Sequence, residues 1–133
     1  MQFGSCVMTD IDEIGFFNHA EGLGYDSVWV TDSQMIFSDC YAVLALAARQ
    51  TRRIRLGPGT AICGTRIPPV QVAAMATLNR LAPGRVHLGI GTGNTAMRTM
   101  GQRRRVPCAC WPPCCAARRW TTATTTAFAP SGC

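Results

Sequence analysis

Three polar segments, the second and third of them with glycine, hold the residues of this chain that can do chemistry: Thr31-Asp32-Ser33-Gln34, Pro58-Gly59-Thr60-Ala61 and Gly91-Thr92-Gly93-Asn94. Each comes directly after an apolar run. Asp32 supplies a carboxylate, which serves either as a catalytic or ligand-binding acceptor or, more plainly, as a helix N-cap in the loop. Glycine at 59 lets a strand bend or bulge. The pair Gly91-x-Gly93 ahead of a helix starting near Asn94 also reads as a phosphate cradle, although two glycines at that spacing are a weak signal. His19 falls in a helix and His87 in a strand, and both read as packing or surface histidines rather than bases.

The elements that must position these segments alternate strand and helix. Gln2 to Met8 is a short apolar strand, and Asp10 with Glu13 three residues later has the spacing of a capping box for a helix over 11–23. Ile14, Phe17 and Leu23 repeat at helical intervals, and Gly22 with Gly24 supplies the stop. Ser27-Val28-Trp29-Val30-Thr31 is a β-branched and aromatic run, with Trp29 read as core. Asp39 caps a helix to Gln50 whose face is Val43, Leu44, Leu46 and Ala47. Ile54 opens the third strand, Pro68 and Pro69 open a helix over 69–81, and Val86 to Gly91 is the fourth strand. Strands at 2–7, 27–32, 54–60 and 86–91 are thus expected as parallel neighbours in chain order, with all three helices on one side.

The irregular sequence lies after the strands, while the helix-to-strand joints are brief. That asymmetry is how a (β/α) barrel separates chemistry at the strand C-terminal ends from stability at the other ends. A doubly wound sheet is the alternative, but Met8-Thr9-Asp10 lacks the glycine-rich fingerprint of its first turn. The expected fold class is therefore α/β, a (β/α)8 TIM barrel present as about four βα units, a half-barrel.

Composition changes at Gln102. Residues 103–133 contain no acidic residue, no Leu, Ile or Met, and five of the eight cysteines. All thirteen basic residues are Arg, as a GC-rich coding sequence would give, and the tail has the composition of such DNA read in another frame. The expected division is residues 1–102 as an N-terminal half-barrel and 103–133 as a disordered or out-of-frame tail; translation of the coding DNA in the other frames tests it. The net charge of +6 does not point to nucleic acid, because all seven acidic residues lie at or before Asp39 and five Arg lie in the tail. Arg49, Arg52, Arg53 and Arg55 read as a solvated helix C-terminus complementing its dipole. No targeting signal or membrane-spanning run is visible, so the expected location is cytoplasmic, with Cys6, Cys40 and Cys63 as single buried or half-buried thiols. Cys108, Cys110, Cys114 and Cys115 lack zinc-site spacing, and no metal is expected.

GYDSVWVTDSQ, LGPGTA, TLNRLAPGRVHLGIGTGN and NTAMRTMG together resemble the N-terminal half of the luciferase-like monooxygenase superfamily, most closely its F420-dependent, methylenetetrahydromethanopterin reductase-like branch. The resemblance runs from residue 1 to about 102. It implies a flavin- or F420-dependent oxidoreductase, with F420 as cofactor and FMN as the alternative, and hydride transfer at the ring. It implies Asp32 and Asn94 as catalytic residues and Asp32, Thr60, Ala61, Thr92, Gly93 and Asn94 as the cofactor contacts. Ser33 stands where the family often has His, and Asn94 where the sugar-phosphate dehydrogenases carry Glu; the latter departure points away from that subgroup and toward a reductase or an uncharacterised member. It also implies a small-molecule substrate in full-length relatives, with neither nucleic acid nor membrane as partner. With four of eight strands, the chain itself is expected to be inactive and to self-associate through open sheet edges. The alternative is a non-enzymatic interaction fragment that binds partners through those edges.

Overall fold

A computed structural model describes residues 1–102. The expectations for 103–133, including their disorder and the absence of a zinc site, fall outside the described residues. The elements are β1 (Gly4–Val7), α1 (Gly15–Gly22), β2 (Ser27–Val30), α2 (Cys40–Gln50), β3 (Arg55–Pro58), β4 (Ala61–Ile62), α3 (Pro68–Leu81), β5 (Ile90–Gly91) and α4 (Asn94–Thr99). β1, β2 and β3 form a parallel sheet in chain order, and β4 pairs in parallel with β5. The architecture is the expected α/β half-barrel.

Alternation along the strands sends one face under the helices. Val28, Val30 and Leu56 are buried there with Phe17 and Ala20 of α1, Val43, Leu44 and Ala47 of α2, and Met75 and Leu78 of α3, so all three helices cover the same side. Trp29 points the other way. It stands outside this core, tilted against His87 with ring centroids 6.2 Å apart, which corrects its reading as a core residue. Leu46 is exposed, and Ala48 completes the α2 face, because 43, 44, 47 and 48 share one side of a helix and 46 does not.

The third and fourth strands are less regular than expected. Leu56 pairs with Val86 and Ala61 with Ile90, so one extra residue stands on the β3–β4 side between those pairs, which is a bulge. Pro58 has no N–H for the ladder, though its carbonyl accepts from Gly89 N at 3.2 Å, and Ala61 N donates to Gly89 O at 2.7 Å. The expected strand 86–91 is therefore regular only at Ile90–Gly91, and the strand expected over 54–60 is regular only at Arg55–Pro58, with β4 starting past its expected end at Ala61. β1 and β2 are shorter than expected by two residues each.

α1 starts at Gly15 rather than near residue 11, and the capping box does not form. The Asp10 carboxylate accepts from Asp12 N at 3.0 Å in a local turn, and Ile11 N donates to Ser38 Oγ at 3.1 Å. The end is as expected: Gly24, at φ 86°, allows Tyr25 N to reach Ala20 O and Gly24 N to reach Glu21 O, a Schellman closure. Leu23 falls in that turn and is exposed. Asp39 caps α2 as expected, accepting from Tyr41 N and Ala42 N at 3.0 Å. Pro68 and Pro69 open α3.

At the strand N-terminal ends the polar groups clamp one another. The Glu21 carboxylate accepts from the backbone N–H groups of Arg52, Arg53 and Ile54 at 2.9–3.1 Å. Partial burial acts to raise the Glu21 pKa, but these three N–H groups and the Arg53 charge outweigh it and hold the carboxyl below its ordinary value. The Arg85 guanidinium donates to Thr51 Oγ1 and to the carbonyls of Ala48, Thr51 and Ile54 at 3.0–3.1 Å, closing the C-terminal end of α2. The basic cluster at 49–55 thus acts largely through its main chain, as a seat for Glu21.

Candidate functional site

The strand C-terminal ends carry the three polar segments, as the spacing predicts. Asp32 follows β2 and is buried, 7% exposed. Its carboxylate accepts from Ile62 N at 2.9 Å, from the Gln34 side-chain amide and from the Cys40 thiol. It caps no helix, since Asp39 has that place in α2. Asp32 instead ties the loop after β2 to the start of β4. Burial pushes the Cys40 thiol far above its usual range, and the Asp32 charge and hydrogen bond push it further; Cys40 is a donor here and not a nucleophile.

Thr60 and Ala61 lie on the bulge, next to a cis peptide bond between Gly59 and Thr60. Thr60 is exposed and Ala61 buried. The bulge aims the Thr60 side chain over β5: a Cβ on Gly91 would come within 2.6 Å of Thr60 Oγ1. Gly93, at φ 64°, seats against Ile62, where a Cβ would fall 2.6 Å from Cγ2. Contact with Thr60 and Ile62 therefore requires both glycines, and the phosphate-cradle reading is not needed to explain them. α4, six residues long, adds little dipole to such a cradle.

The structure thus gathers Asp32, Thr60, Ala61 and Gly93 around Ile62 and Gly91. Thr92 and Asn94 are exposed on the way from β5 into α4, and no contact joins either to Asp32. Gln34 and Cys40 were not visible as site residues in the sequence. Their signal was faint, an amide two residues past Asp32 and a thiol at the first position of α2. At the rim, Arg66 pairs with Asp39 at 2.5 Å and lies 4.2 Å over the Tyr41 ring, whose hydroxyl accepts from Gln71.

A planar cofactor with polar edges fits this donor set. Thr60, Thr92 and Asn94 make no side-chain hydrogen bond with the described residues, so two hydroxyls and an amide stand available beside the bulge. None carries a charge. Among the described residues, no group of His, Cys, Asp and Glu side chains is arranged to hold a metal ion. Cys6 is exposed, unlike Cys40 and Cys63, because it shares the uncovered face of the edge strand with Trp29, its partner in register. No described helix is long and apolar enough to cross a membrane.

Parallel βα units with free polar groups at the strand C-terminal ends define a barrel-type α/β fold. The profile of the luciferase-like monooxygenase family matches residues 2–109, and the chain belongs to that family, an oxidoreductase by family. It is 37% identical over 97 residues to 5,10-methylenetetrahydromethanopterin reductase of Archaeoglobus fulgidus, covering 71% of this chain and 29% of the relative. It is 40% identical over 92 residues to F420-dependent glucose-6-phosphate dehydrogenase of Kineococcus radiotolerans, covering 63% and 27%. The solved F420-dependent tetrahydromethanopterin reductase of Methanopyrus kandleri superposes with a TM-score of 0.70 at 31% identity, covering 84% of this chain and 33% of that one. The chain spans less than a third of the length of these curated relatives.

Proposed function

We propose that this chain contributes the cofactor-side half of an F420-dependent oxidoreductase, and that its site takes a deazaflavin in preference to FMN. The observation that carries the reading is the set of free polar side chains, Thr60, Thr92 and Asn94, beside the bulge at the strand C-terminal ends. Relatives named for F420 or for the methanopterin reductase reaction support the choice of cofactor. When bound, F420 supplies a two-electron hydride donor or acceptor. Asp32 holds the β2 loop against Ile62, so that the bulge would offer the exposed Thr60 side chain, with the main chain of Ala61 beside it, to the cofactor. Thr92, Gly93 and Asn94 are the further residues that would hold it. Asn94 orients by hydrogen bonding and does not release a proton, which favours a reductase over a sugar-phosphate dehydrogenase. The expected setting is cytoplasmic.

The 133-residue chain alone is expected to retain neither F420 nor FMN tightly and to transfer no hydride, because the described residues supply only part of a closed pocket. A chimera in which residues 1–102 replace the matching part of the Archaeoglobus reductase tests the reading by fluorescence titration. Retention of F420 is expected; retention of FMN instead would overturn the cofactor choice, and retention of neither would overturn the site.

A second reading rests on the open sheet. β1 pairs only with β2 among the described residues, and its other edge offers unpaired N–H and C=O groups to another chain. In that reading the protein is an interaction fragment whose edges self-associate. Sedimentation of dilute protein decides it, with aggregation or a dimer expected and a stable monomer contradicting it.

A further inference from the structure

The loop after β2 has two local faults side by side. The Gln34 side-chain oxygen is buried with no hydrogen-bond partner. A carboxylate only accepts, so the bond to Asp32 fixes the NH2 end of the amide toward Asp32 and turns the carbonyl end away. The next residue, Met35, sits at φ 63° and is the one non-glycine residue at positive φ among those described. Both arrangements are unfavourable and both lie within the same segment.

The ends of that segment are tied down. Asp32 is bound to Ile62 N, and Ser38 N donates to Thr9 O at 3.0 Å. Between them, the only backbone bonds among the described residues are those of the local turn in which Ile36 N and Phe37 N both donate to Ser33 O. The Met35 side chain is 81% exposed and that of Ile36 46%, placing apolar surface in water at the strand C-terminal ends.

We infer that residues 33–37 form a ligand-operated cover, in which a flat heterocycle bound at the strand ends releases Met35 from its left-handed conformation, gives the Gln34 carbonyl a donor from an N–H or O–H at the ligand rim, and draws Met35 and Ile36 over the ring. The inference rests on the cofactor site proposed above. A ligand shifts such a segment only through contacts that differ between its two arrangements, and the unpaired carbonyl and the exposed thioether provide those contacts.

NMR on the full chain, with 13C-methyl methionine and 15N-amide labels, tests it during titration with F420 and, separately, FMN to millimolar concentration. Met35→Leu assigns the Met35 methyl. The expected result is that this methyl and the Gln34 side-chain amide shift together with the Thr60 and Gly93 amides. Shifts at Thr60 and Gly93 with Met35 and Gln34 unmoved would overturn the cover and leave the site standing. No shift at any of the four would overturn the site and the cover with it. Without ligand, Met35→Gly is expected to raise Tm, since glycine takes this φ readily; an unchanged or lower Tm would overturn the strained ground state.

Discussion

The two ends of the strands use polar groups in opposite ways. At the N-terminal ends, Glu21 holds three successive backbone N–H groups and Arg85 closes on the carbonyls of Ala48, Thr51 and Ile54. At the C-terminal ends, Thr60, Thr92 and Asn94 bond to none of the described side chains, and the Gln34 oxygen is left without a partner. Charge satisfied within the fold stabilises it and leaves nothing to offer a ligand. Neutral groups left free add little stability and remain available, so the difference separates the end that holds the molecule from the end with groups to spare for the proposed site.

Removing Arg85 should break this comparison most strongly. Arg85→Leu leaves the last carbonyls of α2 and its loop without a donor, and should lower unfolding free energy by about 3 kcal/mol in urea titration. A change no larger than that of an exposed arginine would mean that the clamp is not the stable end.

Asp32 is the exception at the binding end, because it is buried and fully engaged. Asp32→Ala leaves Ile62 N–H unpaired and should cost about 2 kcal/mol, whereas Asp32→Asn keeps one acceptor for that N–H and should cost less. Equal losses from the two would show that the carboxylate charge, rather than the bond to Ile62, fixes the loop.

Acid should act on the clamped end. A carboxyl whose folded pKa is depressed contributes its full stabilisation above its unfolded value, and that contribution is lost as pH falls through the folded one. With Glu21 held below its ordinary 4.5, Tm should drop as pH falls from 4.5, and Glu21→Gln should flatten that drop. An unaltered acid profile in the variant would remove Glu21 from the clamp.

The smallest effects belong to the free groups. Thr92→Ala and Asn94→Ala should change stability by no more than about 0.5 kcal/mol while weakening F420 retention in the chimera. A large stability loss from either would show that these side chains hold the fold after all.

Much of this was legible in the residues. Asp39 as a cap, Pro68 and Pro69 as a helix start and Gly24 as a stop depend on groups within a few positions of each other, so local sequence states them. The order of βα units and the side on which the loops gather follow from spacing, while the family resemblance rests on four segments, from GYDSVWVTDSQ to NTAMRTMG, standing in the right order. The register slip at the bulge, the burial of Asp32 and the outward turn of Trp29 did not. Each depends on partners roughly thirty or more residues away: Val86 and Ile90 across from β3 and β4, Ile62 for Asp32, and His87 for Trp29. Asp10 with Glu13 shows the same limit from the other side, since a correct capping-box spacing gave way to a local turn in which Asp10 accepts from Asp12 N while Ser38, 27 residues on from Ile11, accepts from the Ile11 N–H. The sequence by itself determined which segments are strands, helices and polar loops, because those preferences are local. Only the tertiary structure decided which polar groups find partners and which stay free, because a hydrogen bond between distant residues exists only once the chain has brought them together.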